Sequence, residues 1–285
     1  GTCVDDFKFF MITSQKGLGT QQGIVGLGPD VSVDGPSFFG TLVDQKKYAP
    51  VVSWSLRFDN TESFVQFGEI DSAQYTGSGS THDLVRTEET WWTLNLSSIG
   101  YGTQTLDTAD TPYCIIDTGT SLLTLGQSAW DQFVTSMEEL GLSCPLDICF
   151  SNSEPCDTFV PNAQNIYITI DQTQYTITPD MYLTTNGLDH MCSAMVSSQT
   201  GLNIAILGDT FIRTQYTSFN YQEYTVTFYD PTYAPLDASQ GITGGAIAGI
   251  VIACFIVIAL VAFIVLSCVK QKNKKHEATV YTTAN

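Results

Sequence analysis

The sequence predicts an all-β region followed by a single transmembrane helix, and three observations carry that expectation. Val, Ile, Thr, Tyr and Phe recur in short runs separated by Gly, Asn, Asp, Pro and Ser, the punctuation of strands and turns. Several of these runs alternate apolar with polar residues, as half-buried strands do. Residues 242–269 then form one almost wholly apolar, uncharged stretch, longer than the roughly 20 residues that cross a bilayer core. At 285 residues the chain has room for one large or two modest domains.

Taken in order, residues 1–22 have no secretory apolar core, and Phe7, Phe9, Phe10, Met11 and Ile12 read as a strand already inside a domain. Residues 53–58 and 64–67 alternate as paired strands around the polar turn at 59–63. The Gly-Ser-Gly-Ser run at 77–80 is small, polar and turn-prone, which places a boundary between regions 1–78 and 79–232. From Trp91 to Ile99, Trp92, Leu94 and Leu96 fall on one side of a strand and Asn95 on the other. Asn95-Leu96-Ser97 is the one glycosylation sequon in the chain, so Asn95 is a candidate acceptor. Residues 128–140 read as a helix capped by Ser128, with Trp130, Phe133, Val134, Met137 and Leu140 as its core-facing stripe. Residues 166–170 and 174–177 read as a hairpin around Asp171-Gln172-Thr173, and 217–229 alternates again to close the region. His82 and His190 lie among polar residues and read as solvated surface side chains.

A Pro-containing linker at 233–243 leads to the span at 244–269 and a tail at 270–285. Lys270, Lys272, Lys274 and Lys275 follow the span at once, which puts the C-terminus in the cytoplasm. Gly241, Gly245, Gly249 and Ala253 recur every four residues, spacing that lets two helices approach closely in a homodimer. Cys268 beside the lysines is a candidate palmitoyl acceptor.

The formal net charge is −18, and the four lysines of the tail leave only seven basic residues for the rest of the chain. Such a surface argues against nucleic acid as a partner and is compatible with an acidic compartment. Six cysteines precede residue 240, and six allow fifteen pairings, so the sequence alone pairs none of them. The membrane span places them outside the cytosol, where disulfides persist. Cys114 lies in an apolar strand and reads as a buried free thiol. No His accompanies the cysteines at zinc spacing, so neither a metal nor a cofactor is expected.

Residues 111–126 organise the chemistry. Cys114, Ile115 and Ile116 form a short buried strand, and Asp117-Thr118-Gly119-Thr120-Ser121 follows without a break. An Asp at the end of an apolar strand is costly to bury unless hydrogen bonds or a task justify it. Gly119 lets the backbone turn close to the carboxylate. Thr120 and Ser121 supply hydroxyls that can donate to its oxygens. Asp117 is therefore the candidate catalytic residue.

This stretch resembles the second active-site motif of the pepsin and cathepsin D family of aspartic proteases. Other segments match in the right order: 23–29 resembles the turn beneath the first catalytic Asp, and 36–43 the short helix after it. Residues 67–77 resemble the crossing between lobes, 91–94 the aromatic strand opening the second lobe, and 206–213 the segment beneath the second Asp. The resemblance implies a pepsin-like acid protease fold, a partial N-terminal lobe at 1–78 and a complete C-terminal lobe at 79–232. The family's first Asp-Thr-Gly and its flap Tyr are not in this sequence, so the chain reads as beginning partway through the first lobe.

The resemblance also implies an aspartic endopeptidase that hydrolyses protein or peptide substrates with water activated by two carboxylates sharing one proton. Asp117 would supply one of them, with Thr118, Gly119, Thr120 and Ser121 supporting it. Trp91 or Trp92 would line the substrate cleft, and Cys156–Cys192 would be the second-lobe bridge. Cys144 and Cys149 could close a small extra loop. Asp209 has a structural counterpart and reads as a buried support. Two alternatives compete with the enzyme: a catalytically incomplete ectodomain acting as a binding module, and a one-Asp lobe that dimerises around a symmetric site.

Overall fold

Alternating residues become strand almost wherever the sequence shows alternation. The computed structural model describes residues 4, 5, 7, 23–29, 37–57, 62–85, 90–145, 147–185, 191–198, 201 and 203–233. Val4, Asp5, Phe7 and the described residues from Gly26 onward belong to one compact unit, and residues 23–25 are the described part of a second. The expected linker beyond Tyr233, the span and the tail, Cys3, His190 and most of residues 1–22 lie outside the described residues. Among the described residues, no helix is long and apolar enough to cross a membrane.

The elements run α1 (Phe38–Asp44), β1 (Val51–Ser55), β2 (Phe64–Phe67), β3 (Tyr75–Asp83), β4 (Thr93–Tyr101), β5 (Gln104–Leu106), β6 (Tyr113–Ile116) and β7 (Leu123–Leu125). Then come α2 (Gln127–Leu140), β8 (Ile148–Phe150), β9 (Ile166–Ile170), β10 (Thr173–Ile177), α3 (Pro179–Tyr182) and β11 (Leu183–Thr185). The last are β12 (Cys192–Ser198), β13 (Ala205–Leu207), α4 (Asp209–Ile212), β14 (Tyr216–Asn220) and β15 (Thr225–Pro231).

Two sheets result. A five-stranded antiparallel sheet has the order β2-β1-β14-β15-β3, so strands near the end of the described chain sit between strands from its beginning. A larger sheet runs β10-β9-β4-β6-β13-β7-β12-β11. Within it β6 and β13 pair in parallel, as do β7 and β12. Parallel pairs need crossover connections, and those crossovers bring chain segments distant in sequence beneath the β6–β7 loop.

The five-stranded sheet holds the end of the described chain firmly. Thr232 donates its amide to the Gln74 carbonyl at 2.9 Å. The Tyr233 hydroxyl reaches the carbonyls of Leu56 and Gln215, and the Arg57 guanidinium lies over its ring.

The structure revises several expectations. Residues 77–80 are strand, within β3, rather than a turn. Gly79 has a φ of +70°, and a Cβ there would lie 2.6 Å from the Tyr229 ring, so glycine serves a bulged strand that pairs with β15. Ser128 is not the cap of α2, which starts earlier with Gly126 as its N-cap; the Ser128 hydroxyl donates to Asp110 instead. The α2 stripe is otherwise as expected, with Trp130, Phe133 and Met137 buried. Ile115 is only half-buried, so β6 alternates, with Cys114 and Ile116 inward. The turn between β9 and β10 is Asp171-Gln172 alone, because Thr173 already pairs with Ile170.

His82 is the largest departure. It is only 2% exposed, on β3. Its Nδ1 lies 2.7 Å from Asp171 Oδ2 and its Nε2 2.6 Å from the Tyr175 hydroxyl. An ionised carboxylate can only accept, so Nδ1 carries the proton in that bond. The side chain ties the five-stranded sheet to the β9–β10 turn of the larger one.

Candidate active site

Asp117 follows β6 directly, where the Cys114 and Ile116 side chains enter the core and the strand is paired on both sides. Its backbone amide donates to the Leu207 carbonyl at 3.1 Å, so β13 fixes where the strand ends. The chain then turns, and the Thr120 amide closes back on the Asp117 carbonyl at 3.2 Å. The carboxylate is held at both oxygens: the Gly119 amide donates to Oδ1 at 2.9 Å and the Thr120 hydroxyl to Oδ2 at 2.7 Å. Both donors fix the orientation of the carboxylate.

The support beneath comes from residues 208–210. The Asp209 amide donates to the Thr120 carbonyl at 2.8 Å. The Thr210 amide and hydroxyl both reach the Ser121 carbonyl, at 3.2 and 2.9 Å. Gly208 permits this approach, since a Cβ there would stand 2.2 Å from the Thr120 carbonyl oxygen and 2.5 Å from that of Leu122. Ser121 thus takes part through its carbonyl, which residue type does not reveal.

Asp209 also acts electrostatically. Burial pushes its carboxyl up from the usual 3.8 to about 6; the Arg213 charge opposes that rise and the Asp117 charge adds to it. Burial in turn lowers the Arg213 guanidinium's pKa, and Asp209 opposes the change. Burial likewise raises the Cys114 thiol well above its ordinary range, with Asp171 adding to the effect. Cys114 is free and buried, as expected of an inert thiol.

The two tryptophans separate. Trp91 is 53% exposed. Trp92 is 5% exposed, donates its indole N–H to the Leu27 carbonyl at 2.9 Å and packs its ring on Phe219 and Tyr221. Trp92 is therefore a core residue, and only Trp91 keeps the exposure that a cleft position needs. The same Leu27 carbonyl accepts the Tyr221 hydroxyl at 2.6 Å, which anchors residues 26–29. Cys156 bonds to Cys192, and Cys144 to Cys149. Asn95 is exposed on β4 and donates to Asp171 Oδ1 at 3.2 Å.

A surface cavity of about 600 Å³ lined by residues including Lys46, Lys47, Tyr48 and Tyr221 contains none of the Asp117 loop. Among the described residues, no three His, Cys, Asp or Glu side chains converge as metal ligands would.

What the geometry defines is a hydrogen-bonded carboxylate on a β loop, braced from below by a second chain segment. The family model of eukaryotic aspartyl proteases matches residues 1–230. The chain belongs to that family. It is 30% identical over 235 residues to vacuolar protease A of Arthroderma otae, covering 76% of this chain and 55% of that protein. It is 30% identical over 214 residues to pepsin A of Bos taurus, covering 70% and 53% respectively. With pepsin II-2/3 of Oryctolagus cuniculus the identity is 32% over 168 residues, 57% of this chain and 40% of that protein. The chain spans about half the length of the curated relatives it matches.

Proposed function

We propose that the chain is part of a membrane-anchored aspartic endopeptidase, with Asp117 as one carboxylate of its catalytic pair. The observation that carries this reading is the hydrogen bonding of Asp117, whose two oxygens each receive a donor from its own loop. A carboxylate held this way is fixed in orientation, which suits a group that must share a proton with a facing partner. The pair would hold a water between them: the ionised member takes its proton while the protonated member donates to the peptide carbonyl. Thr118, Gly119, Thr120 and Ser121 orient Asp117, and Trp91 lines the approach to it. Protein or peptide segments are the substrates.

Residues 1–78 would belong to a first lobe and residues 79–232 to a second. The uncharged run at 244–269 and the lysines after it support an anchor with a cytoplasmic tail. The lobes then lie in a lumenal or extracellular space, which agrees with the disulfides. Vacuolar protease A among the relatives favours an acidic, vacuole-like compartment. The small-residue stripe of the span favours a homodimer in the membrane.

The test is proteolysis by the full-length protein at acid pH. Asp117→Asn should abolish cleavage of an unfolded protein substrate while the circular dichroism spectrum stays unchanged. Substantial residual cleavage would reject Asp117 as a catalytic group, whereas absence of cleavage by the wild type would favour the binding-module reading.

A further inference from the structure

The sequon at Asn95 occupies an unusual place. Both of the groups that define it, the Asn95 carboxamide and the Ser97 hydroxyl, are engaged by one residue 76 positions later, Asp171. Asn95 Nδ2 donates to Asp171 Oδ1 at 3.2 Å, and the Asp171 amide donates back to the Asn95 carbonyl at 3.1 Å. The Ser97 hydroxyl donates to the Asp171 carbonyl. Asp171 is itself fixed, with a φ of +52° at its turn and its other carboxylate oxygen on buried His82. On the far side β4 pairs with β6, where Asn95 faces Tyr113 across the strands. Residues paired in this way present their side chains on the same face.

Two consequences follow from this geometry. Asn95 remains exposed, and its carboxamide nitrogen carries two hydrogens of which Asp171 uses one. A sugar on the other would leave the bond to Asp171 intact and would project beside the Tyr113 ring. A transferase, however, must grip the sequon as a free extended segment, and in the fold that segment is an interior strand whose hydroxyl and carboxamide are both occupied.

We propose that Asn95 is an N-glycosylation site that is open only until the β9–β10 turn closes on it, after which Asp171 holds the modified carboxamide in place. The proposal rests on the lumenal placement given above. The donor is a lipid-linked oligosaccharide pyrophosphate. A bond forms between Asn95 Nδ2 and C1 of the first sugar as the C1–O bond to the pyrophosphate breaks. The lipid pyrophosphate leaves with the electron pair, and one Nδ2 proton passes to a base of the transferase. When Asn95 is translocated, Asp171 has yet to follow it, so the sequon is accessible at that stage.

The experiment is translation of the full chain into microsomes, with a second sequon added as an N-terminal tag to report lumenal exposure. With donor present throughout, the wild type should carry two glycans removable by an endoglycosidase, and Asn95→Gln and Ser97→Ala should each carry one. With donor withheld during synthesis and restored after folding, the tag should be modified and Asn95 should not. Asp171→Ala frees the Asn95 carboxamide and removes the tie to His82, while the backbone carbonyl still accepts from Ser97. It should therefore raise modification of Asn95 in that late arm above the wild type. A modified tag with bare Asn95 under continuous donor would overturn the site while sparing the lumenal reading. Absence of both glycans would overturn the lumenal reading and the site with it. Modification of wild-type Asn95 to the same extent in either order would overturn the closure by Asp171.

Discussion

The carbonyl oxygen of Thr120 accepts the backbone amide of Asp209 at 2.8 Å, so the loop that presents one carboxylate rests on the turn that carries another. Thr120 therefore faces both ways. Its hydroxyl orients Asp117 and its carbonyl fixes the loop to the segment below.

Thr120→Val removes only the upper of these two bonds, since the backbone contacts do not need the side chain. A hydrogen bond to a charged group contributes about 1.5–3 kcal/mol. If Asp117 reacts as proposed and feels that loss, kcat should fall by about ten- to a hundredfold. The measurement is steady-state hydrolysis of a peptide by the full-length protein, with unfolding in urea as the control for stability.

Gly208→Ala tests the lower contact. The added methyl would meet two backbone carbonyls, which cannot swing aside as a flexible side chain can. A cost of about 3 kcal/mol is expected, at the upper end for overpacking. The midpoint of denaturant unfolding reads it directly.

Asp209 makes stability depend on pH. Its folded-state pKa of about 6 lies above the ordinary 3.8, so the native state keeps a proton that the unfolded chain has released. Stability from this group is fully present below about pH 4 and is lost as pH rises through about 6, by on the order of 2 kcal/mol. Asp209→Asn should flatten that decline, whatever its absolute cost from weakening the attraction to Arg213. Unfolding free energies measured at intervals from pH 4 to 7 provide the check, and an unchanged slope would refute the assignment.

The His82–Tyr175 bond lends itself to a double-mutant cycle. Tyr175→Phe leaves a buried ring nitrogen without its partner and should cost about 1–3 kcal/mol. Adding His82→Phe removes the stranded nitrogen as well. The double variant should therefore be more stable than the sum of the two single losses predicts.

The two disulfides should differ in value because the loops they close differ. Cys156 and Cys192 are separated by 36 positions, Cys144 and Cys149 by only 5. Loop-closure entropy puts the first at about 4 kcal/mol and the second at about 2 kcal/mol. Paired Cys→Ala variants compared by thermal unfolding would reveal that order.

Much of this was legible in the residues, and the exceptions share a cause. The strand before Asp117, the Gly119 turn and the Thr120 hydroxyl all lie within a few positions of one another, and local pattern reports local structure. The α2 stripe was legible for the same reason. His82 was not, because its partners are 89 and 93 positions away and its own strand is otherwise polar. The nearest signal was its position in a β3 run that alternates poorly. Trp92 was ambiguous because a large aromatic suits a cleft as well as a core; only the Leu27 carbonyl, 65 positions earlier, decides between them. Residues 77–80 misled in the opposite direction, since the glycine content that marks a turn also serves a bulged strand crowded by Tyr229.

The attachment of Tyr233 gives the molecule a definite point for mechanical load. A pull on the chain beyond residue 233 would act first on the Tyr233 hydroxyl bonds and the Arg57 stack, and then along β15. That strand lies between β14 and β3 rather than at the sheet edge. Antiparallel ladder bonds run perpendicular to the strand. Tension along β15 therefore shears two ladders together instead of peeling one bond at a time. Force arriving from the C-terminal side would be spread across the five-stranded sheet, while the Asp117 loop belongs to the other sheet.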